Sequence, residues 1–195
     1  MSTTSSTKTS LPRVSNILKP FSGYENIPAG ILAEASERGT RRHAACSSLA
    51  LGVPILRRDP EDEGYVSSFR DWFKRYVLRA VLVSQRLTDT KLNFSGEPDF
   101  LFELAPMIKE IKPGDLVIVD LKPEWTQARP AWACQCSAYL HLAKVNKYPA
   151  KIAASLHPDQ EGGPAKLQWY FDDKRDFAAF LAALSAHNYF FNGRE

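Results

Sequence analysis

Asp120 and Lys122 stand two apart at the end of the apolar run 116–122, LVIVDLK, and Asp99 closes the segment GEPD about twenty residues earlier. Two carboxylates brought together form a hard oxygen site suited to Mg²⁺ or Mn²⁺. An ammonium held beside them can offset charge on a phosphoryl oxygen, or orient a water and help deprotonate it. Side chains alternate along a strand, so Asp120 and Lys122 share one face while Leu121 points into the core. The Leu121 backbone carbonyl is then available as a further oxygen ligand. An antiparallel hairpin would bring Asp99, near the start of one strand, beside Asp120, near the end of the next. A D-x-K triplet alone is equally the pattern of a strand-end salt bridge, so the surrounding residues decide.

The elements that must position these groups can be read from periodicity. "AGILAEASERGTRRHAACSSLALG" reads as helix, break, helix: Ile31, Leu32 and Ala35 share a face, Gly39 ends the first piece, Thr40 caps the second, and Gly52 stops it. "PEDEGYVSSFRDWFKRYVLRAVLV" opens as a helix with acidic residues in its first turn and a buried stripe of Tyr65, Phe69, Trp72, Phe73 and Val77. "VLVSQRLTD" and "FSGEPDFLFEL" read as strands. "LVIVDLK", apolar on both faces, reads as a central strand. A helix over "RPAWACQCSAYLHLAKVN", strands in "AKIAASLH" and "AKLQWYF", and an amphipathic helix capped by Asp172 or Asp173 complete the chain. The order predicts one mixed α/β domain with helices packed on a central sheet. Residues 11–30 read as an irregular lead-in.

The 195 residues suit a single domain with a sizeable core, and no apolar run approaches a membrane span. Residues 1–12 read as a polar, disordered tail without the apolar core of a signal peptide, leaving 13–195 as the folded domain. Cys46, Cys134 and Cys136 fit neither a disulfide framework nor a zinc or iron–sulfur set, and read as reduced thiols. Residues 1–95 carry 14 Lys and Arg against 9 Asp and Glu, a basic bias compatible with a polyanion groove.

Taken in order, "RGTRRH" ending at His43, "GEPD" ending at Asp99, "IVDLK" holding Asp120 and Lys122, and "QCSAY" from Gln135 to Tyr139 resemble the motifs of the PD-(D/E)XK nuclease superfamily. The closer likeness is to its RecB-type and phage recombination exonuclease branch, over roughly residues 10 to 190. The resemblance implies a restriction-endonuclease-like core, with a central mixed β-sheet flanked by helices. It implies one or two Mg²⁺ or Mn²⁺ ions held by His43, Asp99, Asp120 and the Leu121 carbonyl, with Lys122 as the catalytic lysine. Gln135 and Tyr139, one helical turn apart on the same face, would support the site or touch the DNA backbone. The cysteines of the iron–sulfur members are missing, so no such cluster is expected.

The activity implied is hydrolysis of DNA phosphodiesters, foremost as an exonuclease on duplex ends in recombination or phage replication. A structure-selective endonuclease, an RNA-directed nuclease and a non-catalytic DNA-binding or assembly protein are the alternatives. Arg41, Arg42 and Arg129 are expected phosphate contacts, with Arg57, Arg58, Lys74, Arg75 and Arg79 as candidates along the duplex. By analogy the protein would form homo-oligomers and work beside a single-strand annealing protein, away from membranes, in the cytoplasm of a bacterium or phage-infected host. The chain departs from the pattern at Pro123-Glu124-Trp125, where relatives commonly have Thr-Gly, and at Gln85, where many have a glutamate.

Overall fold

The computed structural model describes residues 11–23, 27–56, 59–123 and 129–192. Helices α1 (Val14–Leu18), α2 (Ala29–Leu51) and α3 (Glu63–Tyr76) precede strands β1 (Val77–Val83), β2 (Leu87–Asp89), β3 (Phe94–Gly96), β4 (Phe100–Leu104) and β5 (Leu116–Leu121). Helix α4 (Pro130–Val145), strands β6 (Ala150–His157) and β7 (Lys166–Tyr170) and helix α5 (Asp173–His187) follow. Five strands form one mixed sheet in the order β1-β4-β5-β6-β7, and β2 and β3 form a separate small hairpin. Neighbours in the large sheet are antiparallel except β5 and β6. Parallel neighbours need a crossover connection, which α4 supplies. No helix among the described residues is long and apolar enough to cross a membrane.

Alternation along the strands assigns the two faces of this sheet. Phe100, Phe102, Val117, Val119 and Leu121 join Tyr65, Phe69 and Trp72 of α3 in one core cluster. Leu101, Ile118 and Ala153 join residues of α1, α4 and α5 in the other. Phe69 stacks on Phe100 with centroids 5.4 Å apart, and Phe100 on Phe102 at 4.7 Å. Full burial of each ring contributes about 1.5–3 kcal/mol, enough to fix the start of β4 against α3. All six residues of β5 are buried, as its two apolar faces predict. Asp120 has the parity of Ile118, so it faces α4, and Asp99 has the parity of Leu101 and faces the same way.

Several boundaries differ from the sequence reading. Helix α2 runs unbroken through Gly39. Thr40 is not a cap: its hydroxyl donates to the Ser36 carbonyl one turn back, at 2.9 Å. Nothing lies within 4 Å of where a Gly39 Cβ would stand. The expected stop at Gly52 is there, with φ of 69° and the Val53 amide donating to Ser48, a left-handed C-terminal closure. Val77 begins β1 instead of ending the helical stripe, and β1 stops at Ser84, whose φ is 46°. The segment 94–104 splits into β3 and β4 around Pro98, which has no amide hydrogen to pair. The lead-in contains α1, whose Val14 and Ile17 are core residues. Ahead of it, Leu11 and Pro12 of the expected tail accept hydrogen bonds from Ser95.

Candidate active site

Pairing of Phe100 with Val119 places Asp99, one residue before β4, beside the end of β5. Asp99 Oδ2 accepts the Leu121 amide at 2.7 Å, so the carboxylate clips the two strand ends together. Its Oδ1 lies 3.0 Å from His43 Nδ1 on α2. The segment that reads as a helix end in the sequence therefore delivers its imidazole from the middle of a rigid helix. On the α4 side, Asp120 Oδ2 stands 2.5 Å from Lys122 Nζ. Lys122 donates to Gln135 Oε1 at 2.8 Å, and Gln135 Nε2 donates to the Tyr139 hydroxyl at 3.0 Å. All six side chains expected at the site are thus joined in two linked sets, His43–Asp99 and Asp120–Lys122–Gln135–Tyr139.

Burial dominates the electrostatics here. It pushes the Asp120 carboxyl up to about 6, with Asp99 adding to the rise and Lys122 opposing it. Burial also works against the Asp99 charge, but the charge and hydrogen bond of His43 and the Leu121 amide hold its pKa below the usual carboxylate range. Burial disfavours the His43 imidazolium, and Asp99 more than offsets it, so the His43 pKa is raised. The Lys122 pKa is likewise raised, burial being outweighed by Asp120. The lysine remains a cation at neutral pH.

His43, Leu121, Lys122, Trp132 and Gln135 line a cleft of about 310 Å³. Arg129, at the N-cap of α4, also lines it and donates to the Ser22 carbonyl at 2.6 Å. Arg41 and Arg42, expected at phosphate, are engaged inside the protein. Asp62, at the start of α3, accepts from Arg42 Nε at 2.7 Å and from Arg41 Nε at 3.0 Å. Arg42 is buried, its guanidinium 4.7 Å over the Tyr65 ring, and Arg41 also reaches Asp59 at 3.3 Å. Arg57 and Arg58 lie outside the described residues, as do Glu124 and Trp125.

Sequence reasoning missed the supports. The Tyr65 hydroxyl donates to the Lys122 carbonyl at 3.1 Å, though Tyr65 reads in sequence only as part of a core stripe. His157, at the end of β6, lies with Nδ1 2.8 Å from the Pro123 carbonyl and Nε2 2.9 Å from Ser155 Oγ, which is 3.0 Å from the Tyr170 hydroxyl. A carbonyl only accepts, so Nδ1 carries the proton, Ser155 donates to Nε2, and Tyr170 donates to Ser155. Burial lowers the His157 pKa, which suits this neutral form. The chain just past Lys122 is thereby held by two further strands. Gly96 explains part of the GEPD segment: a Cβ there would meet Tyr139 Cε1 at 2.7 Å and Leu142 Cδ1 at 2.8 Å.

The Asp99, Asp120 and His43 side chains, with the Leu121 carbonyl, are the groups that could hold a divalent ion. The buried Asp120 Oδ2 has no donor in hydrogen-bond geometry despite its short contact with Lys122, the state of an oxygen that a cation could satisfy. Among the described residues, no three His, Cys, Asp or Glu side chains are grouped as ligands. Compared with known proteins, the chain matches no family model and no curated sequence.

Proposed function

We propose that this chain is a divalent-metal-dependent nuclease with a restriction-endonuclease-like core, acting foremost as an exonuclease on DNA ends. The observation that carries the reading is the meeting of Asp99, Asp120 and Lys122 at paired strand ends, with Lys122 handed on to Gln135 and Tyr139. A strand-end salt bridge accounts for Asp120 and Lys122 alone, and needs neither Gln135 nor Tyr139.

The donor set fits a hard ion: two carboxylates, a backbone carbonyl and one imidazole suit Mn²⁺ and admit Mg²⁺. A bound ion would supply Lewis acidity toward a phosphoryl oxygen and acidify a water. The residues have their own parts. Asp99 fixes the strand ends through the Leu121 amide and orients His43. Lys122, charged and anchored by Gln135, opposes negative charge growing on the scissile phosphate. Tyr139 fixes the Gln135 amide, so the acceptor for Lys122 is set before substrate arrives.

The test is degradation of linear 5′-phosphorylated duplex and of closed circular DNA in Mg²⁺ or Mn²⁺, with Asp120→Asn alongside. Expected is loss of the linear substrate alone, reduced at least about 100-fold by the substitution. Cutting of the circle would replace the exonuclease reading by an endonuclease. Cleavage equal in the two proteins would remove the site from the reaction, and no cleavage of either substrate would count against the reading.

A further inference from the structure

Three clefts meet at Ser15 of α1. One is the candidate site itself; a second, of about 210 Å³, opens beside Gly96 and Tyr139; the third, of about 670 Å³, follows the first half of α2. Ser15 lines all three, so they form one band running past Lys122.

The charge along this band is one-sided. Arg13 and Arg86 line the second cleft, Lys19 the first and third, and Arg38 the third. Among the described residues that line them the one carboxylate is Glu97, and it pairs with neither arginine. The whole chain has 25 Lys and Arg against 22 Asp and Glu, so composition does not account for such a run. Arg42 and Lys122 also line the band but are balanced by Asp62 and Asp120. Arg13, Lys19, Arg38 and Arg86 are exposed, and none forms an ion pair among the described residues. Like charges along concave walls repel one another and focus the field on whatever anion enters.

We propose that this band binds the phosphodiester backbone of a nucleic-acid strand, Arg13 and Arg86 holding it on one side of the candidate site and Lys19 and Arg38 on the other. The proposal takes the class of polyanion from the nuclease reading and adds the path and the contacts. The cations are distributed along three clefts and do not converge on one point, which suits an extended polyanion and not a compact one. The third cleft is also walled by Ile31, which is 60% exposed, and by Leu32, offering an apolar surface to a base.

The experiment is fluorescence anisotropy of a labelled single-stranded DNA 20-mer in EDTA, across a salt series, for the wild type, Arg13→Ala/Arg86→Ala and Lys151→Ala/Lys109→Ala. The last pair removes the same charge from exposed sites outside the band, and thermal melts confirm that all three fold. Each lost phosphate contact lowers the slope of log K against log salt by about 0.7. The arginine pair should therefore flatten the slope by about 1.4 and weaken binding about 10-fold or more at low salt, with the lysine pair within twofold of wild type. Equal behaviour of the two double variants, or an unchanged slope, overturns the path and leaves the nuclease reading standing. A wild type that binds no strand also overturns the path, and the nuclease reading is then decided separately by degradation of the linear duplex in Mg²⁺ or Mn²⁺.

Discussion

Asp62 serves two guanidiniums with its two oxygens, and the sequence around it gives no sign of that. Its partner Arg42 lies 20 positions away, and His157 meets the Pro123 carbonyl across 34. Neither pair has a local spacing to read. His43, Asp99, Asp120, Lys122, Gln135 and Tyr139 were legible because each stands in a short motif, and the order of those motifs along the chain carries the resemblance. The Arg41 and Arg42 expectation came from adjacency to His43, which says nothing of what a helix's other sides touch. Removing one partner of a buried ion pair strands the other, at a cost of about 3–5 kcal/mol. Asp62→Ala should lose stability of that order in urea unfolding, through the buried Arg42. A loss under about 1 kcal/mol would mean that Arg42 finds water or another acceptor.

Among the elements, α2 was misread because Gly39 and Thr40 carry the usual marks of a stop and a start. The buried residues of α2 are Arg42, Ala45 and Cys46, so packing of this later half seeds a helix that propagates through the glycine at a cost of only about 1 kcal/mol relative to alanine. Gly39→Ala should accordingly raise stability by about 0.5–1 kcal/mol in urea unfolding, there being open space for the methyl. A fall would restore a break at that point. The β2–β3 hairpin, unforeseen as a unit, is tied to α4 by Asp89. One of its oxygens accepts the Lys91 and Leu92 amides, and the other meets His141 Nε2 at 2.7 Å. Burial favours the neutral acid, but the hydrogen bonds from His141 and the two amides outweigh it and lower the pKa. A depressed carboxyl stabilises the fold above its unfolded value of about 3.9, and that contribution is lost as pH falls through the folded value. Asp89→Asn should cost about 1–2 kcal/mol at pH 7. The gap to wild type should shrink as pH drops below about 3.9, measured by urea unfolding at both ends. A gap independent of pH would show that the charge is immaterial.

For the molecule as a whole, the mixed α/β architecture followed from the order of periods, and β5 as a central strand from its two apolar faces. The strand order and the parallel β5–β6 pair did not, because pairing partners leave no mark on either strand. Both core clusters draw on β4, β5 and β6, one from each face, so neither can dissolve while the other persists. Tryptophan fluorescence, with Trp72 buried against the sheet, and far-UV circular dichroism should therefore report one coincident urea transition. Separate midpoints would divide the chain into two folding units.

The unbroken α2 also sets a rule of length. Successive residues on a helix are turned by about 100°, so the angle between His43 and the cleft-facing Ile31 and Leu32 is fixed by the number of residues between them. One residue inserted before Arg41 would swing Ile31 and Leu32 off the cleft while His43 stayed on Asp99. One inserted between His43 and the buried Cys46 would instead carry the imidazole itself out of reach of Asp99. This stretch can change its side chains more freely than its count.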